Sequence, residues 1–259
     1  MVLSGCNVIA EARLDTTLKD PLRLRDVVFK HGLMVLVPPA PGIVFTTRLA
    51  GNMSLSSGDP ARAAANRTAV SQALGIPEEW TTARQVHGRA VLCADPPSVP
   101  VTEADAIVVR QPHRPAAVLV ADCVPIALSG PGVTAAVHAG WRGLCAGVIE
   151  AAVATAAVSP GLSAWIGPCI GPCCYQVGAE VPERFVLTHP NAPDCCERVG
   201  ETLHFDLRRA AAAVLEACGV AVAGDLDVPC TRCDPRFFSH RRDGTPERQA
   251  LVTWVEAAR

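Results

Sequence analysis

Short apolar runs alternate along this chain with alanine-rich runs, and this alternation limits the fold more than any other feature. The segments 106–109, 116–121 and 133–137 are apolar and rich in β-branched or small residues, which is typical of buried strands. Alanine-rich segments predict helices at 61–74 and 144–157. Strands that lead into glycine-containing loops and then helices favour an α/β or α+β fold and exclude an all-helical one.

Capping residues mark the ends of two predicted helices. Asp59 is the expected N-cap of the helix at 61–74 and Gly75 its stop, while Asp206 and Gly219 bracket a helix that ends near residue 218. Further strands are predicted at 43–47, 163–166 and 250–255, and a further helix at 180–187. The chain has no internal repeat, low-complexity block or linker. We therefore expect a single domain over 1–259, with residues 1–40 as an N-terminal extension packed on it.

The 12 cysteines raise the question of whether the protein works in an oxidising or a reducing compartment. A chain of 259 residues buries enough surface to fold without disulfides. The first 20 residues contain acids and no apolar core of a signal peptide, and no run approaches the roughly 18 apolar residues of a membrane helix. We therefore expect reduced thiols in a cytoplasmic protein without a membrane partner. A net charge of −2 lacks the basic excess of a nucleic-acid binder.

Three predicted strand ends carry a histidine or a cysteine followed by small residues. The residues are His87, Cys123 and His138, separated by 36 and 15 positions. Two imidazoles and one thiolate suit Zn²⁺ or copper, and three protein ligands leave the fourth tetrahedral position open, as in catalytic zinc sites. Alternatively, Cys123 is a nucleophile and His138 its base on an adjacent strand. Spacing alone also allows Cys123 and His138 to be ordinary core residues.

Arginine side chains are the second candidate group. Arg142 lies four residues after His138 in a loop that also contains Trp141. A planar cation beside an aromatic ring and a metal ligand suits an aromatic, anionic or phosphate-bearing substrate. No glycine-rich motif for nucleoside triphosphates or dinucleotides occurs. Asp122, next to Cys123, is expected to tune the metal site or to accept a proton.

The remaining cysteines have weaker patterns. Cys230 and Cys233 form a CxxC pair without a second pair at a fixed distance, and Cys173 and Cys174 are adjacent in a loop rich in glycine and proline. Adjacent cysteines rarely ligate one metal together. We therefore expect structural or incidental roles for these four thiols.

Taken together, the segments that carry these residues resemble the laccase-domain family of multicopper polyphenol oxidoreductases, now described as zinc-dependent purine nucleoside phosphorylases. The resemblance covers about 43–255. In chain order, the matching segments are Phe45-Thr46-Thr47-Arg48, Gly58-Asp59-Pro60 with Asn66-Arg67, Gln85-Val86-His87-Gly88, Glu103-Ala104-Asp105-Ala106, Ala121-Asp122-Cys123-Val124-Pro125, His138-Ala139-Gly140-Trp141-Arg142-Gly143, Ile166-Gly167-Pro168 with Cys173-Cys174-Tyr175, Phe205-Asp206-Leu207, and Phe237-Phe238-Ser239 with Arg241-Arg242.

The resemblance implies that His87, Cys123 and His138 hold one zinc ion, with copper as the alternative. It implies phosphorolysis of adenosine, inosine, guanosine and methylthioadenosine, together with deamination of adenosine. The partners are then a small nucleoside and phosphate, and we expect a monomer or homodimer. The implied fold has four α/β/β/α layers with mixed sheets, like the catalytic domain of cytotoxic necrotizing factor toxins. Catalytic roles are assigned to Cys123, His138, Asp122 and Arg142, and substrate-binding roles to Asn66, Arg67, Gln85, Trp141 and Arg241.

Two departures from the family pattern lie at the expected rim of the pocket. The loop after Arg48 is short, and the segments 239–242 and 247–248 differ from the usual residues. Two other activities remain as alternatives. One is a copper-dependent polyphenol oxidase, which seven histidines support poorly. The other is a thiol hydrolase or deamidase that acts on a peptide or a cell-wall precursor through Cys123 and His138.

Overall fold

The computed structural model describes residues 13–14, 24–28, 33–95, 103–156, 161–224 and 227–256. The strands are β1 (Arg13–Leu14), β2 (Arg25–Val28), β3 (Met34–Val37), β4 (Ile43–Thr46), β5 (Val91–Cys93), β6 (Ala106–Val109), β7 (Ala116–Val120), β8 (Val124–Gly130), β9 (Val133–Ala139), β10 (Ser163–Ile166), β11 (Gln176–Val177), β12 (Cys196–Val199), β13 (Thr202–Phe205), β14 (Ala221–Val222) and β15 (Gln249–Thr253). The helices are α1 (Pro60–Leu74), α2 (Trp141–Ala146), α3 (Val148–Ala156), α4 (Glu180–Thr188), α5 (Leu207–Ala217) and α6 (His240–Asp243).

These strands form two large sheets and one small sheet. The first large sheet has the order β1-β2-β3-β4-β15-β7, and all of its neighbours are antiparallel. The second has the order β14-β10-β8-β9-β6-β5 and is mixed, because its two outermost pairs are parallel and its central pairs antiparallel. Strands β11, β13 and β12 form the small antiparallel sheet. Strand β7 of the first sheet and strand β9 of the second sheet both contribute residues to the candidate site.

The two large sheets pack face to face, and helices cover both outer faces. Phe45 and Leu251 of the first sheet share a buried cluster with Ile107 and Trp165 of the second. Alternate residues of the first sheet, such as Val44, pack outward with α1 residues. Alternate residues of the second sheet pack against α2, α3, α4 and α5. The predicted four-layer α/β/β/α arrangement is thereby confirmed, although mixed sheets were predicted and only the second of the two large sheets is mixed.

Helix ends follow their local sequence. The Asp59 side chain accepts hydrogen bonds from the first backbone N–H groups of α1, which ends at Gly75 in a left-handed conformation. Asp206 caps α5 in the same way, and Gly219 follows the helix with φ of 73°. The strands predicted at 43–47, 163–166 and 250–255 and the helix predicted at 180–187 are also confirmed to within about two residues.

The Asp206 cap gives the first testable prediction. Replacing Asp206 by alanine should lower the free energy of unfolding by about 1 kcal/mol, because the backbone N–H groups of Arg208 and Arg209 lose their acceptor. Urea denaturation measures the change. Asp206→Asn keeps an acceptor oxygen and is the matched control, so its loss should be clearly smaller. Equal losses in the two variants would contradict the capping role.

Three elements differ from the sequence-based expectation. The helix predicted at 144–157 is broken into α2 and α3, because Gly147 adopts φ of 88° and ends α2. Strand β8 begins directly after Cys123 and was not predicted, since Pro125 lies within it. His87 does not end a strand but lies in a loop.

The N-terminal region contributes to the first sheet. Strands β2 and β3 of the segment predicted as an extension at 1–40 pair with each other, and β3 pairs with β4. Strand β1 pairs with β2, so these three strands form one side of the first sheet, with β1 at its edge. Residues 1–12, 15–23 and 29–32 of this region lie outside the described residues.

Candidate metal centre

A cavity of about 610 Å³ opens where both large sheets meet several loops, and His87, Cys123 and His138 lie on its wall. The rest of the wall comes from the loop at 54–57, the segment before His87, the end of β7, the loop after β10 and the segment around α6. Such a volume is ordinary for a small-molecule site.

Three different elements bring the three predicted ligand residues together. Cys123 lies in the turn between β7 and β8, His138 lies in β9, and Pro125 of β8 pairs directly with His138. His87 comes from the loop before β5. All three donor atoms lie within 4.8 Å of one another, and His87 Nε2 is 3.7 Å from Cys123 Sγ.

Two residues of this site have unusual backbone conformations. His87 has φ of 57° and Asp122 has φ of 92°, both in the region that disfavours residues with side chains. Such conformations cost about 1–3 kcal/mol each and persist where surrounding contacts impose them, commonly at functional sites. Here one of the two residues is a predicted ligand and the other directly precedes a predicted ligand, so both unusual conformations fall at the metal-binding group.

Asp105 organises two of the three ligand residues. It is fully buried, and its carboxylate accepts a hydrogen bond from His138 Nδ1 at 2.8 Å. The same carboxylate accepts hydrogen bonds from the backbone N–H groups of Val86, His87 and Gly88. Because Nδ1 donates to Asp105, the opposite nitrogen of His138 is left for the site. A carboxylate behind a ligating histidine is typical of zinc centres. Sequence reasoning gave Asp105 no role beyond its place in a family motif.

Charges at the site reinforce one another. Burial by itself raises the pKa of the Cys123 thiol, but the neighbouring His138 charge and hydrogen bonds from His138 and His87 outweigh burial and lower this pKa to about 6. Burial likewise lowers the pKa of His138, but Cys123 and the hydrogen bond to Asp105 raise it to about 9. These shifts stabilise a thiolate, which is the form that binds metals, while His138, which they keep protonated, must release its Nε2 proton to act as a ligand.

The donor set fits a single zinc or copper ion held by His87, Cys123 and His138. Two imidazoles and one thiolate in a pocket wall leave room for a fourth, exogenous ligand. The metal-binding part of the sequence-based hypothesis thus has a matching group of side chains, while the choice between zinc and copper rests on the chemistry of these donors alone.

Gly140 provides a test of how closely the site is packed. A Cβ atom at this position would lie 2.8 Å from Cδ2 of His87 and 3.0 Å from Sγ of Cys123. The φ of Gly140 is −78°, so alanine brings no backbone strain. We expect Gly140→Ala to lower kcat/KM for the expected phosphorolysis by about 10–100-fold, because the added methyl group displaces His87 and Cys123, with little loss of stability. Steady-state kinetics with thermal unfolding measures both, and unchanged kinetics would contradict the close packing.

Asp122 and Gln85 line the cavity, but hydrogen bonds within the protein occupy their polar atoms. The Asp122 carboxylate accepts from the Thr231 hydroxyl at 2.6 Å and from the backbone N–H of Arg241 at 2.7 Å. The Gln85 amide exchanges two hydrogen bonds with the backbone of Leu119. Both side chains therefore connect the walls of the cavity to one another.

Asn66, Arg67, Trp141 and Arg142 are not among the residues that line the cavity. Arg67 is buried, where Nε donates to the Met53 carbonyl at 2.8 Å and the guanidinium lies over the Trp80 ring. The Asn66 amide donates to the Asn52 carbonyl. These contacts hold the loop whose serines form one wall. Trp141 is half-buried in the helical layer.

The exposed Arg142 guanidinium lies 4.5 Å from the centre of the Trp141 ring. Its positive charge also lowers the pKa of Tyr175, a residue of the cavity wall, and opposes the larger effect of burial, so Arg142 influences the rim of the cavity electrostatically.

Arg241, Arg248 and Tyr175 contribute polar groups to the cavity. Arg241 lies over the Tyr175 ring and donates to the Gln176 carbonyl at 2.9 Å. Arg248 is partly buried and has no carboxylate partner among the described residues. The sequence placed the segment 247–248 at the expected rim of the pocket, but it gave Arg248 itself no role in the site.

The matching family model now identifies the chain. It is described as multi-copper polyphenol oxidoreductase laccase and covers residues 44–256. The chain belongs to this family. The resemblance carried by the cysteine and histidine motifs is thus confirmed for the whole region that contains the site.

Comparisons with individual relatives and solved structures agree with this family assignment. The purine nucleoside phosphorylase YfiH of Escherichia coli is 36% identical over 79% of this chain and 86% of its own length. A purine nucleoside phosphorylase of Xylella fastidiosa is 37% identical over 84% and 94%. The crystal structure of the Neisseria meningitidis protein NMB0706 matches with a TM-score of 0.78 and 31% identity, covering 87% of this chain and 99% of that one. Among the described residues, no helix has the length and apolar character needed to cross a membrane.

Proposed function

We propose that this laccase-family chain is a zinc-dependent purine nucleoside phosphorylase that acts on adenosine, inosine, guanosine and methylthioadenosine and also deaminates adenosine. The observation that carries the proposal is the group of two imidazoles and one thiol, with donor atoms within 4.8 Å, on the wall of a cavity of about 610 Å³. Relatives at 36–37% identity bear the name of this activity.

Phosphorolysis breaks the bond between the purine nitrogen and C1′ and forms a bond from a phosphate oxygen to C1′. The products are ribose 1-phosphate and the purine, which takes up a proton. The reaction therefore requires a site for a dianion and a site that stabilises the departing base. When bound, zinc supplies Lewis-acid character at the wall that His87, Cys123 and His138 form.

Cationic side chains offer the phosphate site. Arg84 also lines the cavity, but Glu103 pairs with it. Arg248 combines partial burial with the absence of a carboxylate partner among the described residues, so it is the cation with most to gain from binding an anion. Arg241 adds a second positive charge to the wall of the cavity.

Tyr175 is suited to contact the nucleoside. Burial and the Cys123 charge raise the pKa of Tyr175 to about 12, although Arg241 and Arg142 oppose this shift. The phenol therefore keeps its proton at neutral pH and is available as a hydrogen-bond donor. Asp122 acts by positioning Arg241 and Thr231, and Asn66 and Arg67 act by holding the serine loop.

The test uses purified protein with adenosine and phosphate. We expect adenine and ribose 1-phosphate, together with inosine from deamination. A chelator should stop product formation, and added Zn²⁺ should restore it. Zinc-loaded protein that forms neither adenine nor ribose 1-phosphate overturns the phosphorylase assignment, while absence of inosine alone overturns only the deaminase part.

A thiol hydrolase is the second candidate, because Cys123, His138 and Asp105 are aligned like a nucleophile, its base and the base's orienting carboxylate. His87, 3.7 Å from the thiol, helps to lower the pKa of Cys123 but is not a member of such a triad. Replacing His87 by alanine distinguishes the two activities. A metal-dependent phosphorylase loses phosphorolysis in this variant, whereas a thiol hydrolase keeps the Cys123 thiol that carries its activity. The copper oxidase is less favoured, because the described residues offer two histidines at this site and no multinuclear histidine cluster.

Two arginine variants test the phosphate site. Arg248→Gln should raise KM for phosphate by about 10–100-fold, the cost of losing a charge-assisted hydrogen bond. Arg142→Gln removes an equal charge from the exposed rim, where solvent screens it, and should raise KM by less than about threefold. Steady-state kinetics at varied phosphate measures both. A larger effect of Arg142→Gln would instead assign phosphate binding to Arg142.

A further inference from the structure

Four cysteines form a second cluster that does not line the cavity. The Sγ atoms of Cys173, Cys174, Cys230 and Cys233 all lie within 4.8 Å of one another. Two Sγ–Sγ distances are 3.3 Å, from Cys174 to Cys233, and 3.8 Å, from Cys173 to Cys233. Sequence spacing did not predict this grouping, because the two pairs come from loops about 60 residues apart.

These distances match a metal site better than a disulfide. A zinc ion with four sulfur ligands at about 2.3 Å in a tetrahedron separates the sulfur atoms by about 3.8 Å. A disulfide requires about 2.05 Å, and all four thiols are free. The adjacent cysteines contribute to one cluster because a turn at 171–175 directs both of their sulfur atoms toward Cys233.

Two hydrogen-bond donors, one of them a cation, contact sulfur atoms of this cluster. The backbone N–H of Gly171 donates to Cys230 Sγ at 3.2 Å, and Arg232 Nη1 donates to Cys174 Sγ at 3.4 Å. The CxxC turn is closed by hydrogen bonds from the backbone N–H groups of Cys233 and Asp234 to the Cys230 carbonyl. Donors that contact sulfur directly, as those of Gly171 and Arg232 do, favour the thiolate form that metal ligation requires.

We propose that Cys173, Cys174, Cys230 and Cys233 bind a second, structural zinc ion. Each thiol gives up its proton to solvent on binding, and Zn²⁺ is retained without any change of oxidation state. Four protein ligands close the coordination sphere, so this ion has no position for substrate.

The second ion would join two walls of the cavity. Cys173 and Cys174 directly precede Tyr175, and Cys230 directly precedes Thr231, which donates to Asp122. The backbones of Cys169 and Cys230 pair in an isolated parallel β-bridge, and this pairing already aligns the two loops. The zinc ion would hold this alignment in place, which explains why the four sulfur atoms lie on loops that both reach the cavity.

Metal analysis tests the proposal independently of catalysis. The full-length protein, purified without chelator, should contain two zinc ions per chain when its metal content is measured by elemental mass spectrometry. The double variant Cys230→Ser, Cys233→Ser should contain one, and so should Cys123→Ala. Cys93→Ser is the control, since Cys93 is an exposed thiol outside both clusters, and it should contain two.

Cobalt substitution supplies a second measurement. In Cys123→Ala, where the first site lacks its sulfur, Co²⁺ should still give the sulfur-to-cobalt charge-transfer absorption and d–d bands of a tetrahedral thiolate site. This absorption should disappear when Cys230 and Cys233 are also replaced. One zinc ion per wild-type chain together with none in Cys123→Ala overturns the proposal, as does a Cys174–Cys233 disulfide in protein purified under reducing conditions.

Discussion

Cys123→Ala should remove one zinc ion per chain and lower kcat/KM for phosphorolysis by at least about 10³-fold, a loss of about 4 kcal/mol of transition-state stabilisation. The reason is that Cys123 is the sulfur donor between two histidines whose donor atoms lie within 4.8 Å. Without it, two imidazoles remain, and a metal ion with two protein ligands is held weakly. Metal analysis and steady-state kinetics with adenosine and phosphate measure the two effects.

Cys145→Ala is the matched control for this prediction. It removes the same atoms from a half-buried free thiol in α2, which does not line the cavity. Its zinc content and kinetics should equal those of the unchanged chain. If Cys123→Ala loses its zinc and still forms adenine and ribose 1-phosphate at the wild-type rate, the metal-dependent mechanism is wrong.

Asp105→Asn should weaken metal binding by about 10–100-fold, because it removes the charge that orients and polarises His138. It should also lower the free energy of unfolding by about 1–3 kcal/mol. The asparagine NH₂ group cannot accept the hydrogen bonds that one carboxylate oxygen now accepts from the backbone N–H groups of Val86 and Gly88. Zinc titration against a competing chelator and urea denaturation of the metal-free chain measure these changes separately.

Asp194→Asn is the control for the change from carboxylate to amide. Asp194 is exposed and caps a turn by accepting from the backbone N–H of Cys196, far from the metal ligands in the chain. Its effect should stay within about 0.5 kcal/mol, with unchanged zinc affinity. Similar zinc affinity in Asp105→Asn and Asp194→Asn would show that Asp105 supports the loop only.

Local sequence predicted the elements whose causes are local. Asp59 with Pro60 begins α1 and Gly75 ends it, because side-chain caps and left-handed glycine act within a few residues. The break at Gly147 was missed, since the alanine-rich composition on both sides favours one continuous helix. Strand β8 was missed because proline lowers strand propensity, although Pro125 is tolerated there.

The site divides in the same way. The residues His87, Cys123 and His138 were selected from motifs, because small residues after a ligand are visible in the sequence. The place of Asp105 was not visible, because its carboxylate joins a loop at 86–88 to a strand at 133–139. Arg67 illustrates the opposite case, since a cation that looked suitable for substrate is buried against Trp80.

The sequence by itself determined the mixed α/β class, the capped ends of α1 and α5, and the family, because hydrophobic periodicity, caps and short motifs are encoded within a few residues. Only the tertiary structure decided which polar groups meet. It brought Cys173 and Cys174 to Cys230 and Cys233, and it separated Arg142 from the cavity that Arg248 reaches. These contacts depend on how loops that are distant in the chain pack against one another at the edges of the two sheets. No local sequence pattern specifies that packing.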